Sequence, residues 1–461
     1  MATRRYDVIV VGARVAGAAT AMLLARQGLR VLAVDRARFP SDTLSTHQLQ
    51  VPGVALLHRW GLLERLVAAG TPATRGVRFD TGGVVLDGRF PFYDGVDALY
   101  SPRRTLLDSI LVEAARAAGA EVRENYLVNE LVWEGSRVIG IRGHERREAP
   151  TTETARLVVG ADGKHSLVAD AVGADRYREQ PASTLACYTY WSGVPLTRGE
   201  LYQRPGRAVA AFPTNDGLTM IYVAAPHTDL ATFRADIEGH YLKTLDQCGD
   251  LGDRVRAGER AERFRTTPDL PNTFRIACGP GWALVGDAGV VLDPITAQGI
   301  GNALRDAEML AAAIGIGLDH AGSLGPRLSD YQHRRDAAVG PMYDFTVGVA
   351  AMKPPRPADR QLLASLQGRQ TEIDRFIAVF AGVISPADYR SPRNLARVIG
   401  IRGLAKLAAT GLRSGGRRWS RTSPVVIGRS WSTGRATERQ TRSAQGATAI
   451  SRQRKQRPTP P

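Results

Sequence analysis

Asp7 to Val11 is a largely apolar, β-branched run, the pattern of a strand buried on both faces of a parallel sheet. Gly12 follows as a turn residue, Ala18 to Gln27 reads as a helix, and Gly28 stops it. Arg30 to Val34 predicts the next strand. Pro52 to Trp60 predicts a helix with proline at its start and Gly61 at its end. Residues 76–96 break into short strands punctuated by Gly82-Gly83, Asp87-Gly88 and Asp94-Gly95. An amphipathic helix spans 101–118, two or three strands run from Glu121 to Gly143, and Leu157 to Gly160 is another buried strand. From 184 to 225 apolar and polar positions alternate around Asn215-Asp216-Gly217, a hairpin turn. Trp282 to Val285 returns to a buried run. Helical periodicity then covers 302–317, 325–352 and 359–382, the last two parted by Pro354, Pro355 and Pro357.

The N-terminal pattern carries chemistry as well as structure. Gly17 lies where the first helix must pack closely on its strand, and Asp35 ends the second strand, 23 positions after Gly12. Strand, glycine turn, helix, strand and acid in this order form a dinucleotide fingerprint, with phosphates at the helix start and a ribose hydroxyl on the acid. The second glycine of the fingerprint is replaced by Arg14. Two readings stand for it: a solvent-facing side chain on a displaced loop, or a guanidinium clamping the phosphates, and the planar fork favours the second. Residues 282–306 (WALVGDAGVVLDPITAQGIGNALRD) deliver another carboxylate, Asp287 after Gly286, followed by Pro294 and the Gln298-Gly299-Ile300-Gly301 turn ahead of a helix. A strand-end Asp beside a helix start, with its free N–H groups and positive dipole, suits a hydroxyl-rich, partly anionic ligand.

These elements predict an α/β protein. A Rossmann-type domain would comprise 1–75, 100–180 and 270–345. An antiparallel-sheet substrate domain (76–99 and 181–269) would be inserted in it, with a helical C-terminal region at 346–411. Composition adds limits. The chain has 461 residues, 43 % hydrophobic and 23 % charged, with a net charge of +16, which excludes a disordered or fibrous protein. That charge is uneven: residues 412–461 hold twelve Lys and Arg against one acid, Glu438. This Ser-, Thr-, Gln- and Pro-rich tail is expected to be disordered, and nucleic acid or an anionic membrane surface is its alternative role. The three cysteines are far apart in sequence, without metal-ligand spacing, which argues against zinc or a disulfide framework and fits a reducing cytoplasm. No apolar stretch is long enough to span a membrane, and Arg14 interrupts the one that imitates a leader.

Three motifs stand in order: the fingerprint at 7–35, VVGADGKHSLV at 158–168 and LVGDAGVVLDPITAQGIG at 284–301. Over about residues 5–345 this set resembles the FAD-dependent class A aromatic hydroxylases, of which para-hydroxybenzoate hydroxylase is the type. Geranylgeranyl reductases and flavin-dependent halogenases share the scaffold. The resemblance implies FAD, with NADH or NADPH as electron donor and no metal. It implies Asp35 at the adenosine ribose, Gly12 and Gly17 at the pyrophosphate, and Arg104 near the ribityl and phosphate region. Val128 would meet the adenine through its backbone, Asp162 and Gly163 match the family's Asp-Gly motif, and Asp287 looks like the ribityl ligand. Gly299, Ile300 and Gly301 would face the flavin pyrimidine ring through backbone N–H groups. Two departures matter. Gly301 stands where the hydroxylases place Asn, and the W-x-W-x-I-P signature of halogenases is missing around Ala211-Phe212-Pro213-Thr214, which ranks halogenation behind hydroxylation.

The expected reaction is hydroxylation of an aromatic or polyketide-like molecule with O2; double-bond reduction of the geranylgeranyl reductase type and a tail-recruited, non-enzymatic flavoprotein are the alternatives. Such an enzyme needs no nucleophile triad, because the cofactor carries the hard chemistry. His47, ending the polar loop Asp42-Thr43-Leu44-Ser45-Thr46, is the candidate proton relay or phenol-orienting group, against the plainer reading of a loop histidine bonding its neighbours. Tyr188, Tyr190, Phe212 and Tyr222, with Tyr343 and Phe345, are the expected pocket region.

Overall fold

The computed structural model describes residues 6–400 apart from 147 and 321; the basic tail at 412–461 lies outside the described residues. Among the described residues, no helix is long and apolar enough to cross a membrane, and no cluster of His, Cys, Asp and Glu could hold a metal.

Strand β1 (Tyr6–Val11) occupies the middle of a mixed sheet because its apolar run is buried on both faces. It pairs in parallel with β2 (Val31–Val34) on one side and with Thr151–Gly160 on the other. Glu121–Arg123 extends the sheet beyond β2, and Trp282–Leu284 extends it beyond Thr151–Gly160, both in parallel. A hairpin, Tyr126–Glu134 with Arg137–Glu145, joins the far end of Thr151–Gly160. Helix α1 (Val15–Arg26) covers the sheet together with Arg104–Ala117 and Gly299–Asp319. The fit is tight: a Cβ on Gly17 would stand 1.8 Å from the Gly12 carbonyl oxygen.

A second, largely antiparallel sheet has the order Glu259–Arg260, Thr184–Ser192, Thr219–Pro226, Arg207–Pro213, Gly199–Arg204, Gly76–Asp80, Val85–Arg89. Its period-two pattern sorts side chains cleanly. Leu185, Cys187, Val209, Ile221 and Val223 pack on the helices Ile237–Leu245 and Leu251–Ala257. Tyr188, Tyr190, Met220 and Tyr222 take the opposite face. The chain is therefore α/β, as its pattern of elements implied.

Some expectations need correction. The helix read over 359–382 is two helices, Pro357–Leu366 and Gln370–Phe380, parted at Gly368, whose φ of 75° a helix cannot hold. Asp87-Gly88 is no turn but lies inside Val85–Arg89, where the bare Gly88 lets Ile377 approach; a Cβ there would stand 2.4 Å from Ile377 Cγ1. The helices Leu230–Ala235, Ile237–Leu245 and Leu251–Ala257 lacked a long enough apolar period to be read from sequence.

Candidate active site

Three parallel strands end side by side: Val11 pairs with Gly160, and Gly160 with Leu284. Their carboxyl edge thus gathers Gly12, Ala161-Asp162-Gly163 and Gly286-Asp287, the edge where open α/β sheets bind ligands. Gly12 adopts a φ of 95° and leaves no room for a Cβ, which would meet the Ala161 carbonyl oxygen at 2.5 Å. Asp35 is buried and accepts the N–H of Ala13 at 2.7 Å and of Ala37 at 2.8 Å, so it fixes the glycine turn itself. Each of its oxygens keeps a further lone pair for a ligand hydroxyl. Two helices begin at this edge, α1 and Gly299–Asp319, and neither has a side-chain cap or an acid in its first turn. Uncapped N–H groups and two positive dipole ends attract an anion.

Arg14, expected at the phosphates, is held in place by protein partners. Its guanidinium donates to Asp108 Oδ2 at 2.6 Å, to Ser41 Oγ at 2.9 Å and to the Ser41 carbonyl at 3.2 Å. It is three-quarters buried and lies over the Phe39 ring, which is not the solvent-facing side chain of the plainer reading. Arg104 grips the other side of Asp108, with Nη2 2.9 Å from Oδ1. An Arg–Asp–Arg bridge therefore ties the fingerprint loop to the helix Arg104–Ala117, with a net charge of one left over. Asp108 lay unassigned within the same R-x-x-L-D run that singled out Arg104.

Asp162 accepts from the Ser166 hydroxyl and from Val168 N–H at 3.2 Å, closing the start of a short helix, Leu167–Ala171. Gly163 has a φ of 83° and open space around its missing Cβ. Tyr126 N–H donates to the Asp35 carbonyl at 2.8 Å, which brings Val128, two residues on and buried, to the Asp35 side of the edge.

Asp287 is the least satisfied carboxylate of the group. Its side chain is exposed locally, yet the surrounding protein is dense enough that desolvation pushes its carboxyl pKa upward, with Arg104 and Lys164 opposing. Local openness inside dense protein describes a carboxylate on the wall of an internal cleft. A Cβ on Gly299 or Gly301 would meet nothing within 4 Å, so the open space continues along the helix start, with Ile300 buried between them. Behind this segment, Gln298 Nε2 donates to the Thr296 and Phe380 carbonyls at 2.9 and 3.0 Å. Asp293 caps Ile295 N–H ahead of Pro294 and also accepts from the Thr184 hydroxyl on the second sheet. Burial holds its carboxyl at about 6. A hydroxyl-binding acid, two acid-free helix starts and an open glycine cradle suit FAD.

Against the second sheet, His47 is fully buried, adopts a φ of 57°, and bonds through Nε2 to the Tyr190 hydroxyl, leaving Nδ1 unpaired. Burial, reinforced by Arg104, Arg103 and Arg265, holds its pKa well below the usual histidine range, so the imidazole is neutral. Arg103, which the sequence did not flag, lies 4.1 Å over the Tyr190 ring and is fixed by its N–H to Asn215 Oδ1 at 3.0 Å, at the hairpin tip. Beside this cluster lies a small apolar cavity. Phe212, Tyr222, Phe380 and Pro294–Ala297 line it. Tyr343 packs instead against Phe274 in a separate core, and Phe345 stacks edge-on to Phe380.

Residues 5–346 match the family described as an FAD binding domain. The chain belongs to that family. It is the para-hydroxybenzoate hydroxylase-like family of FAD-dependent enzymes that the three motifs implied. A 12-dehydrotetracycline 5-monooxygenase/anhydrotetracycline 6-monooxygenase of Streptomyces rimosus is 28 % identical over 426 residues, 84 % of this chain and 78 % of its own. A tryptophan 2-halogenase of Chondromyces crocatus is 26 % identical over 323 residues, 67 % of this chain; the match spans 60 % of that relative's length. The solved structure of a myxobacterial chondrochloren halogenase superposes with a TM-score of 0.70 at 21 % identity, covering 89 % of this chain and 97 % of its own. A digeranylgeranylglycerophospholipid reductase is also among the relatives, so hydroxylation, halogenation and reduction all occur within the FAD-binding family.

Proposed function

We propose that this protein is an FAD-dependent monooxygenase that hydroxylates an apolar aromatic or polyketide-like molecule, using O2 and NADH or NADPH. The observation that carries the reading is the position of the apolar cavity. Pro294–Ala297 form part of its wall and lead directly into the 299–301 helix start, so a substrate in the cavity lies against the segment assigned to the flavin ring. The tetracycline monooxygenase also matches more of both chains than the tryptophan 2-halogenase does, and Phe212-Pro213 brings no tryptophan to the cavity.

Asp35 and Asp287 would accept cofactor hydroxyls, the N-terminus of α1 would take the pyrophosphate, and Arg104 would add positive charge near both. Bound FAD would supply reduction by the nicotinamide and activation of O2. In balance, substrate, O2, NAD(P)H and a proton give hydroxylated product, water and NAD(P)⁺. The chain's own part is to exclude water with the apolar walls and to hold a neutral hydrogen-bonding group nearby. Neutral His47, bonded to the Tyr190 hydroxyl, is suited to orient a phenolic hydroxyl by a hydrogen bond, because its surroundings disfavour the charged imidazolium that proton transfer would create.

Purified protein should be yellow, with close to one FAD per chain; colourless protein that cannot be reconstituted would overturn the cofactor assignment. Turnover of a phenolic and polyketide panel with labelled dioxygen, in bromide- and chloride-containing buffer, should place one labelled oxygen in the product. Halogenated product, or saturation of a double bond without oxygen, would replace the reading by halogenation or reduction.

A further inference from the structure

The cavity has a character that restricts what can enter. Val77, Phe90, Leu201, Phe212, Met220 and Phe380 give it apolar walls, and none of its described lining residues carries an ionised side chain. Two polar atoms stand in these walls without a protein partner, Gln50 Oε1 and the Tyr222 hydroxyl. Their residues are only 6 % and 3 % exposed. Buried polar atoms are nearly always hydrogen-bonded, and a few convergent polar groups in an apolar cleft are what fix a small molecule's orientation. Both groups are rigidly placed. Gln50 is the residue that starts helix α2 (Val51–Arg59). Tyr222 lies between Tyr188 and Ala210 in adjoining strands of the second sheet.

We propose that Gln50 and Tyr222 are the polar recognition pair of this cavity, selecting a neutral aromatic substrate that donates a hydroxyl or N–H to Gln50 and presents a carbonyl to Tyr222, and rejecting carboxylates. The proposal rests on the monooxygenase reading for its site and narrows the substrate class. Burial first, and the Asp293 carboxylate behind it, push the Tyr222 pKa far up, which keeps its hydroxyl protonated as a donor. The same carboxylate repels an anion. Arg103 and Arg265, near His47, are already paired with Glu262 and Asp42 and offer no free cation.

The test is equilibrium binding to the FAD-loaded protein without nicotinamide, so that its outcome is independent of whether oxygen transfer occurs. The probes are acetophenone, its three ring-hydroxylated isomers and 4-hydroxybenzoate, the carboxylate counterpart of the para isomer. One hydroxyacetophenone should bind about threefold to tenfold tighter than acetophenone, the range of one neutral hydrogen bond, and 4-hydroxybenzoate at least about tenfold weaker than its neutral counterpart. Gln50→Leu should erase the hydroxyl preference. Tyr222→Phe, which removes a single oxygen and keeps the wall, should weaken acetophenone and its hydroxyl derivatives alike. Equal affinity for 4-hydroxybenzoate, or a hydroxyl preference that survives Gln50→Leu, would overturn the proposal.

Discussion

Asp108 is the carboxylate on which two cations depend, and removing it should cost stability in a calculable way. Its side chain is fully buried, while those of Arg104 and Arg14 are 10 % and 26 % exposed. In Asp108→Ala both guanidiniums lose their counter-charge and repel each other across the gap. Removing one partner of a buried pair costs about 3–5 kcal/mol. Water can reach a quarter of Arg14 and the Ser41 contacts remain, so the lower end, about 3 kcal/mol, is expected. For a chain of this size a change of that order lowers Tm by about 3 °C. Asp108→Asn keeps one acceptor without the charge and should fall between. Thermal melts of the flavin-free protein isolate this term from cofactor binding, and the Arg14→Met background should reduce the penalty by about 1 kcal/mol if the bridge is cooperative. An Asp108→Ala melt within about 1 °C of the parent would refute the account.

Four further outcomes follow from the site. Gly17→Ala should destabilise the flavin-free protein by more than about 2 kcal/mol through overpacking. Gly299→Ala, facing open space, should leave the melt unchanged while weakening FAD about tenfold or more; equal flavin affinity would show that no ring lies there. Asp287→Ala should lose FAD yet leave the flavin-free protein as stable as before, because desolvation already strains that carboxylate; normal flavin content would refute its role. Asp293, held at about 6 against an ordinary 3.8, binds its proton more tightly when folded. Its contribution is present below about pH 4 and lost as pH rises through 6, about 3 kcal/mol by linkage. Urea denaturation should therefore show Asp293→Asn gaining on the parent between pH 4 and 7, and parallel pH profiles would contradict the assignment.

The fold was legible where sequence pattern and function coincide locally. Gly12, Gly17 and Asp35 fall within one strand–helix–strand unit, and Asp287 with Gly299 to Gly301 within one short strand-to-helix segment, so spacing alone exposed them. Long-range pairings left no such trace. Asp108 meets Arg14 across 94 positions, and its carboxylate looked like any acid on an amphipathic helix. Gly88 imitated a turn because its glycine is demanded by a helix nearly three hundred residues away. Gln50 and Arg103 drew no attention because polar side chains in loops are ordinary until burial is known. For His47 the sequence suggested proximity to substrate but could not show that its surroundings hold it neutral.

Phe380 sets a limit on how short this enzyme can be. The family match ends at residue 346, yet the Phe380 ring forms part of the cavity wall and its carbonyl holds Gln298 at the head of the glycine cradle. A chain trimmed to the matched segment would lose a side of the proposed substrate chamber and the anchor of the proposed cofactor loop in one cut. Exchange of C-terminal helices between relatives would then alter substrate choice and flavin retention together, which makes this helix a place where evolution can tune both with a single replacement.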